Sequence, residues 1–190
     1  MKIVQSAECI RDWLVNNDRP VVSLLQKGLS LSEIMIATEE LDIKLPNELV
    51  ELYKWRNGTS KDGGYVLGDV DFFPGFHFLP LVDSVAYYKT FIKDERWDKS
   101  WFPVFANGGG DFYVIKCSED YREHSEIVGF MRDFDEQEVE YLTLEKMLQT
   151  LCECYKQSVF YLSNDRYIES KIEEEAEISG KINPNLDRWA

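Results

Sequence analysis

Between two β-rich runs, Trp101 to Phe105 and Phe112 to Cys117, the chain reads Asn107-Gly108-Gly109-Gly110-Asp111. Glycine takes positive φ without steric cost, and asparagine and aspartate hydrogen-bond their own backbone, so this is the composition of a tight strand-to-strand return. So short a connection obliges the second strand to run antiparallel beside the first. A third run, Ile127 to Met131, follows, and the middle of the chain is thereby committed to an antiparallel sheet. Glycine-rich turns also cradle phosphates, but that chemistry needs a helix N-terminus behind the glycines and usually a lysine beside them. Here Phe-Tyr-Val-Ile follows, no lysine stands near, and Asp111 would repel an anion. Gly108, Gly109, Gly110 and Asp111 are read as a structural turn.

Helical periods flank this sheet. Ser6 can cap a segment carrying Ile10, Trp13 and Leu14. Ser30-x-x-Glu33 has capping-box spacing, followed by Leu31, Ile34, Met35 and Leu41 at helical intervals. Leu45-Pro46-Asn47-Glu48 opens a third helix that turns Leu49, Leu52 and Tyr53 inward, and Asn57-Gly58 is expected to end it as a left-handed cap. Tyr65 to Leu67, Phe72-Phe73 and Phe76 to Leu79 are short strand candidates. A helix is expected from Asp83, burying Val85, Tyr88, Phe91 and Ile92. A longer one starts near Thr143, with Leu144, Met147, Leu148, Leu151, Cys152, Tyr155 and Val159 in one stripe. Helices, then consecutive strands, then a closing helix spell an α+β fold. The expected organisation is a single domain over residues 1–162, its mainly antiparallel sheet packed against N-terminal helices and a long C-terminal amphipathic helix. Residues 163–190 form a polar extension in which Ile168, Ile172 and Ile178 could support one more helix, while the end GKINPNLDRWA is expected to be loosely ordered.

Charge narrows the partners. With 35 acidic against 21 basic side chains the net charge is −14. Nucleic-acid affinity rests on cationic contacts to phosphate, and no Lys/Arg cluster supplies them. A basic protein partner fits the sign, although acidity also serves plain solubility. Cys9, Cys117, Cys152 and Cys154 contain no Cys-x-x-Cys pair, and only His77 and His124 could assist them, so no metal site is expected. Cys9, Cys117 and Cys152 fall at apolar positions and read as reduced thiols in a core. MKIVQSAECIRDW lacks a continuous apolar stretch, and no run approaches the roughly 18 residues of a membrane span, so a cytoplasmic protein is expected.

Candidate chemistry is thin. Asp69, Asp71, His77 and Asp83 lie close in sequence and could hold a metal or share acid–base work. Asp69 and Asp71 also suit a Gly-Asp turn, and His77 an exposed strand position. No Gly-x-Ser-x-Gly occurs, and a thiol at an apolar position is inert rather than activated. No catalytic residue and no cofactor is expected. The last feature is the run Asp133-Phe-Asp135-Glu136-Gln-Glu138-Val-Glu140, five carboxylates without a base. It is either a solvated loop or an electrostatic docking face for a cationic partner.

Taken together, several pieces resemble the SUKH superfamily, which groups bacterial toxin-immunity proteins with fungal regulators of cell-wall synthesis. They are Leu45-Pro46 with Leu49, Leu52-Tyr53 and Asn57-Gly58; Gly68; Phe78-Leu79-Pro80-Leu81; and Phe102-Pro103-Val104. Asn107 to Tyr113, Ile127-Val128-Gly129-Phe130 and the terminal amphipathic helix continue the series. The resemblance covers about residues 28–162. It implies a twisted, mainly antiparallel sheet backed by helices and a non-enzymatic immunity protein that neutralises a polymorphic toxin domain, frequently a nuclease. The alternatives are a scaffold in cell-wall regulation or a small metal-dependent hydrolase using Asp69, Asp71 and His77.

Overall fold

The computed structural model describes residues 2–60, 66 and 68–189. The first third holds α1 (Ile3–Asn16), the single turn α2 (Val21–Leu24), strand β1 (Leu25–Lys27), α3 (Leu31–Thr38), α4 (Asn47–Trp55) and β2 (Arg56–Thr59), with β1 and β2 paired antiparallel. There follow β3 (His77–Phe78), α5 (Leu81–Phe91), β4 (Trp101–Ala106), β5 (Phe112–Lys116), β6 (Ile127–Phe130) and β7 (Glu138–Tyr141). The chain then runs through α6 (Leu144–Lys156), the hairpin β8 (Phe160–Leu162) and β9 (Ile168–Ser170), α7 (Ile172–Ile182) and a 3₁₀ turn at Asp187–Trp189. Strands β3 to β7 form one sheet in sequence order, each pair antiparallel. This is the single α+β domain that the sequence implies.

Both faces of that sheet are covered. On one side Phe78, Phe102, Phe105, Ile115, Ile127 and Tyr141 meet a layer of helices. In that layer α1 supplies Ile3, Ala7, Ile10 and Leu14, and α6 supplies Leu144, Met147, Leu148 and Leu151. On the other side Phe112, Val114, Val128 and Phe130 pack with Trp97 and with Tyr87 and Phe91 of α5. The run Ile127-Val128-Gly129-Phe130 is buried at every position. That is why it reads as continuously apolar rather than alternating.

One buried carboxylate ties three segments. Glu48, in the first turn of α4, accepts the Ser125 N–H at 2.7 Å and the Glu145 N–H at 3.1 Å. It thus joins α4 to the loop before β6 and to the start of α6. Desolvation still raises its pKa, and these bonds oppose the shift.

Several local expectations are corrected. Asn57-Gly58 does not end a helix: α4 stops at Trp55, and Asn57 lies in β2, where its Oδ1 accepts the Leu81 N–H at 2.9 Å and caps α5 instead. Phe72-Phe73 forms no strand. It belongs to a tight turn bridged from Phe73 to Phe76, with both rings packed in the core. The candidate at Tyr65 to Leu67 lies, except for Val66, outside the described residues. Ser6 is buried inside α1, which starts three residues earlier. In α3 only Ile34 is buried, whereas Leu31 and Met35 face solvent. The segment from Ser163 builds β9, α7 and the 3₁₀ turn, burying Ile168, Ile178 and Asn183. Asn183 accepts the Leu142 N–H and donates to Thr150 of α6, so the segment is fastened to α6 and to the link between β7 and α6.

The cysteines are the largest departure. Cys9 of α1 and Cys152 of α6 are not two thiols but a disulfide, with Cα atoms 5.9 Å apart and a sequence separation of 143. Cys117 and Cys154 remain free and buried, and burial pushes both thiols up. Alkylation after denaturation without reductant should therefore label Cys117 and Cys154 and spare the other two. Labelling of all four would show that the bridge is absent. With the bridge formed, Cys9→Ser should cost about 2–5 kcal/mol in chemical denaturation, since the link closes a long loop.

Candidate docking surface

The acidic run is a hairpin end. It starts after β6 and merges into β7, so its residues are presented at the rim of the sheet. Gln137 closes the bend. Its Oε1 accepts the Met131 N–H at 2.6 Å, and its Nε2 donates to the Met131 carbonyl at 3.1 Å and the Phe134 carbonyl at 2.6 Å. Asp133, Asp135, Glu136 and Glu138 are exposed, and Phe134 projects among them with 65% of its surface bare. An aromatic ring surrounded by carboxylates suits a contact in which cations flank an apolar centre.

The glycine turn supports this hairpin. Gly108 and Gly110 have φ of 79° and 109°, the left-handed region that the turn requires, while Gly109 does not need it. Asn107 Oδ1 accepts the N–H groups of Gly109 and Asp111 at 2.7 and 3.1 Å, and its Nδ2 donates to the Asp111 carboxylate at 2.6 Å. The other oxygen of Asp111 accepts the Arg132 N–H at 2.8 Å. Arg96, paired with Asp94, donates to the Arg132 carbonyl at 2.6 Å and lies over the Phe130 ring. Thus both peptide groups at the base of the acidic hairpin are held, one by Asp111 and one by Arg96.

Glu140 does not belong to the exposed set. It is in β7 with its side chain turned into the protein, accepting the Tyr113 hydroxyl at 3.1 Å, and burial raises its pKa. Its carboxylate occupies the space above Gly129: a Cβ there would lie 2.2 Å from the Glu140 Oε1. Arg188, from the closing 3₁₀ turn, approaches Glu140 at 3.7 Å and Glu138 at 3.9 Å, and Trp189 donates its indole N–H to the Glu140 carbonyl. A cavity of about 340 Å³ lies here between the hairpin and the sheet, bounded by Met131, Phe134, Glu138 and Arg188.

The carboxylates considered for acid–base work are placed elsewhere. Asp71 is buried beside Arg19, which also interacts with Asp69 and donates to the carbonyls of Gly68 and Arg166. These contacts join the end of α1 to the turn before Phe72 and to the β8–β9 hairpin. His77 is not an exposed strand residue but a buried one, paired with Ala106 across β3 and β4. Asp83 is in the first turn of α5. Among the described residues no group of three or more His, Cys, Asp and Glu side chains is arranged to hold a metal ion.

An antiparallel meander covered by helices on both faces defines the class, an α+β domain. Within it, the chain belongs to the SMI1 / KNR4 family (SUKH-1), whose pattern residues 28–150 match. Proteins of this family are generally non-enzymatic immunity or regulatory proteins. The match spans α3 through the first half of α6 and so includes the glycine turn and the acidic hairpin. No curated protein matches the chain. Among the described residues no helix is long and apolar enough to cross a membrane.

Two outcomes follow from this geometry. Gly110→Val forces a β-branched side chain into positive φ and should cost roughly 1–3 kcal/mol, whereas Gly109→Val should cost less. Equal costs at the two positions would contradict the turn geometry. The second concerns pH. Burial raises the Asp71 carboxyl to about 6 from its ordinary 3.8, and raises Glu48, Glu140 and Glu175 as well. A carboxyl with a raised folded-state pKa binds its proton more tightly in the native protein, so stability rises as pH falls through that value. Denaturation midpoints should be higher at about pH 5.5 than at about pH 7.5, and Asp71→Asn should flatten the slope. A wild-type profile that falls towards the lower pH would refute the burial account.

Proposed function

We propose that this chain is an immunity protein: it binds a cognate polymorphic toxin domain of the nuclease class and blocks it by stoichiometric association without chemistry of its own. Membership of the SMI1 / KNR4 family carries the reading. The net charge of −14 and the exposed carboxylates of the β6–β7 hairpin support it, because a nuclease must present cations to bind its substrate. The docking set is Asp133, Asp135, Glu136 and Glu138, with Phe134 at its centre. Glu140, buried under Arg188, acts from behind by fixing β7. Such an interface needs no cofactor.

The direct test is co-expression with the product of the adjacent reading frame, where that product carries a toxin domain. Cells should survive, and the purified pair should elute as one complex. Survival that needs only catalytic amounts of this chain, or no complex at all, would overturn the proposal. The hairpin is tested separately by Asp135→Asn, Glu136→Gln and Glu138→Gln combined. Rim charges act mainly by speeding encounter, so association should slow roughly three- to tenfold at low ionic strength with little change in dissociation. The difference should shrink at physiological ionic strength, where charges are screened beyond about 8 Å. Wild-type association at low salt would remove the hairpin from the interface.

A further inference from the structure

Helix α3 wears its apolar side outward. Of its four large apolar residues, Ile34 is 2% exposed, while Leu31, Met35 and Ile36 are 55, 62 and 66% exposed. Single exposed apolar residues are ordinary, but three in one eight-residue helix are not. Val82, in the first turn of the neighbouring α5, adds a fourth at 69%. The helix itself is well made. Ser30 and Glu33 form a complete capping box, and Glu40, just past its end, pairs with Lys89 of α5 at 2.8 Å. The outward face is therefore not the product of a frayed or misplaced segment.

The charges around the face say what covers it. Glu33, Glu39, Glu40 and Asp42 lie in or just beyond the helix and are all exposed; Lys89 pairs with Glu40 and Lys27 acts on Glu33, which leaves the carboxylates in excess. Two copies of this chain meeting through the face would bring carboxylates against carboxylates, which costs affinity. A partner with an apolar centre and a cationic rim meets both features at once. We propose that Leu31, Met35 and Ile36 of α3 form the apolar anchor of the interface with a basic protein, and that this protein is the toxin domain of the reading above, on which the assignment rests. The acidic hairpin then governs how fast the partner arrives, and α3 governs how long it stays. The two regions are joined through α5, which packs on α3, and through Arg96 just beyond it, which holds Arg132.

The test uses the full chain carrying Met35→Gln and Ile36→Gln, exchanges that keep good helix formers at exposed positions. Melting should be unchanged. Against the inactivated toxin domain that forms a complex with the wild-type chain in the co-expression test, the variant should dissociate roughly ten- to a hundredfold faster than wild type, with a near-normal association rate. Wild-type dissociation by a variant that folds normally overturns the assignment of α3 and leaves the immunity reading standing. If the wild-type chain itself fails to bind, both fall together. Sedimentation of the wild-type chain alone supplies the other outcome. A monomer is expected, and a dimer abolished by the two substitutions would make a second copy the occupant and refute the proposal.

Discussion

The β3–β7 meander is covered on both faces, and that constraint arranges everything else. With α1 and α6 on one side and α5 with Trp97 on the other, neither face of β5 or β6 is left for a ligand. Polar chemistry is pushed to the hairpin ends, the edge at β7 and the outer surfaces of the helices. The buried polar groups have structural duties instead. Glu48 collects backbone donors from two segments, and Arg19 joins three parts of the chain beside Asp69 and Asp71. A fold of this kind is suited to presenting rims and helix faces, and the docking proposals use those places.

The glycine turn shows how architecture and presentation are linked. Its residues return β4 to β5, yet Asp111 also reaches across to the Arg132 peptide and so fixes the base of the neighbouring acidic hairpin. A rigid base matters because charge accelerates encounter only when it stands in a consistent orientation. Placing the hairpin costs little where the turn already exists. The same economy appears at Gly129, where the missing side chain makes room for the Glu140 carboxylate.

Much of this was legible in the sequence where local chemistry decides. The Asn107–Asp111 return, the three strands around it, the Ser30 capping box and the Thr143 start of α6 depend on neighbours in the chain, and all appear in the structure. What was illegible depends on distant partners. Helical spacing identifies an apolar stripe on α3 but carries no information on whether the core lies on that side. Alternation could not have flagged Glu140, since it puts Glu138 and Glu140 on one face of β7, and only the fold shows that Gly129 and Tyr113 enclose one and leave the other open. Cys9 and Cys152 are brought together by the packing of α1 on α6, across too much sequence for spacing to reveal. Phe134 did leave a signal, a lone aromatic inside a run of carboxylates, and so did the apolar excess of α3.

In the proposed complex one partner is gripped at two separate places, a charged hairpin and an apolar helix face, on an otherwise closed scaffold. Hydrogen exchange of the full chain, alone and with the inactivated toxin domain proposed as its partner, tests it directly. Protection gained in the complex should be concentrated in Leu31–Thr38 and in residues 131–138, with the buried strands β5 and β6 already slow in the free protein. A complex that forms while both segments exchange at their free rates would contradict the account and place the interface elsewhere.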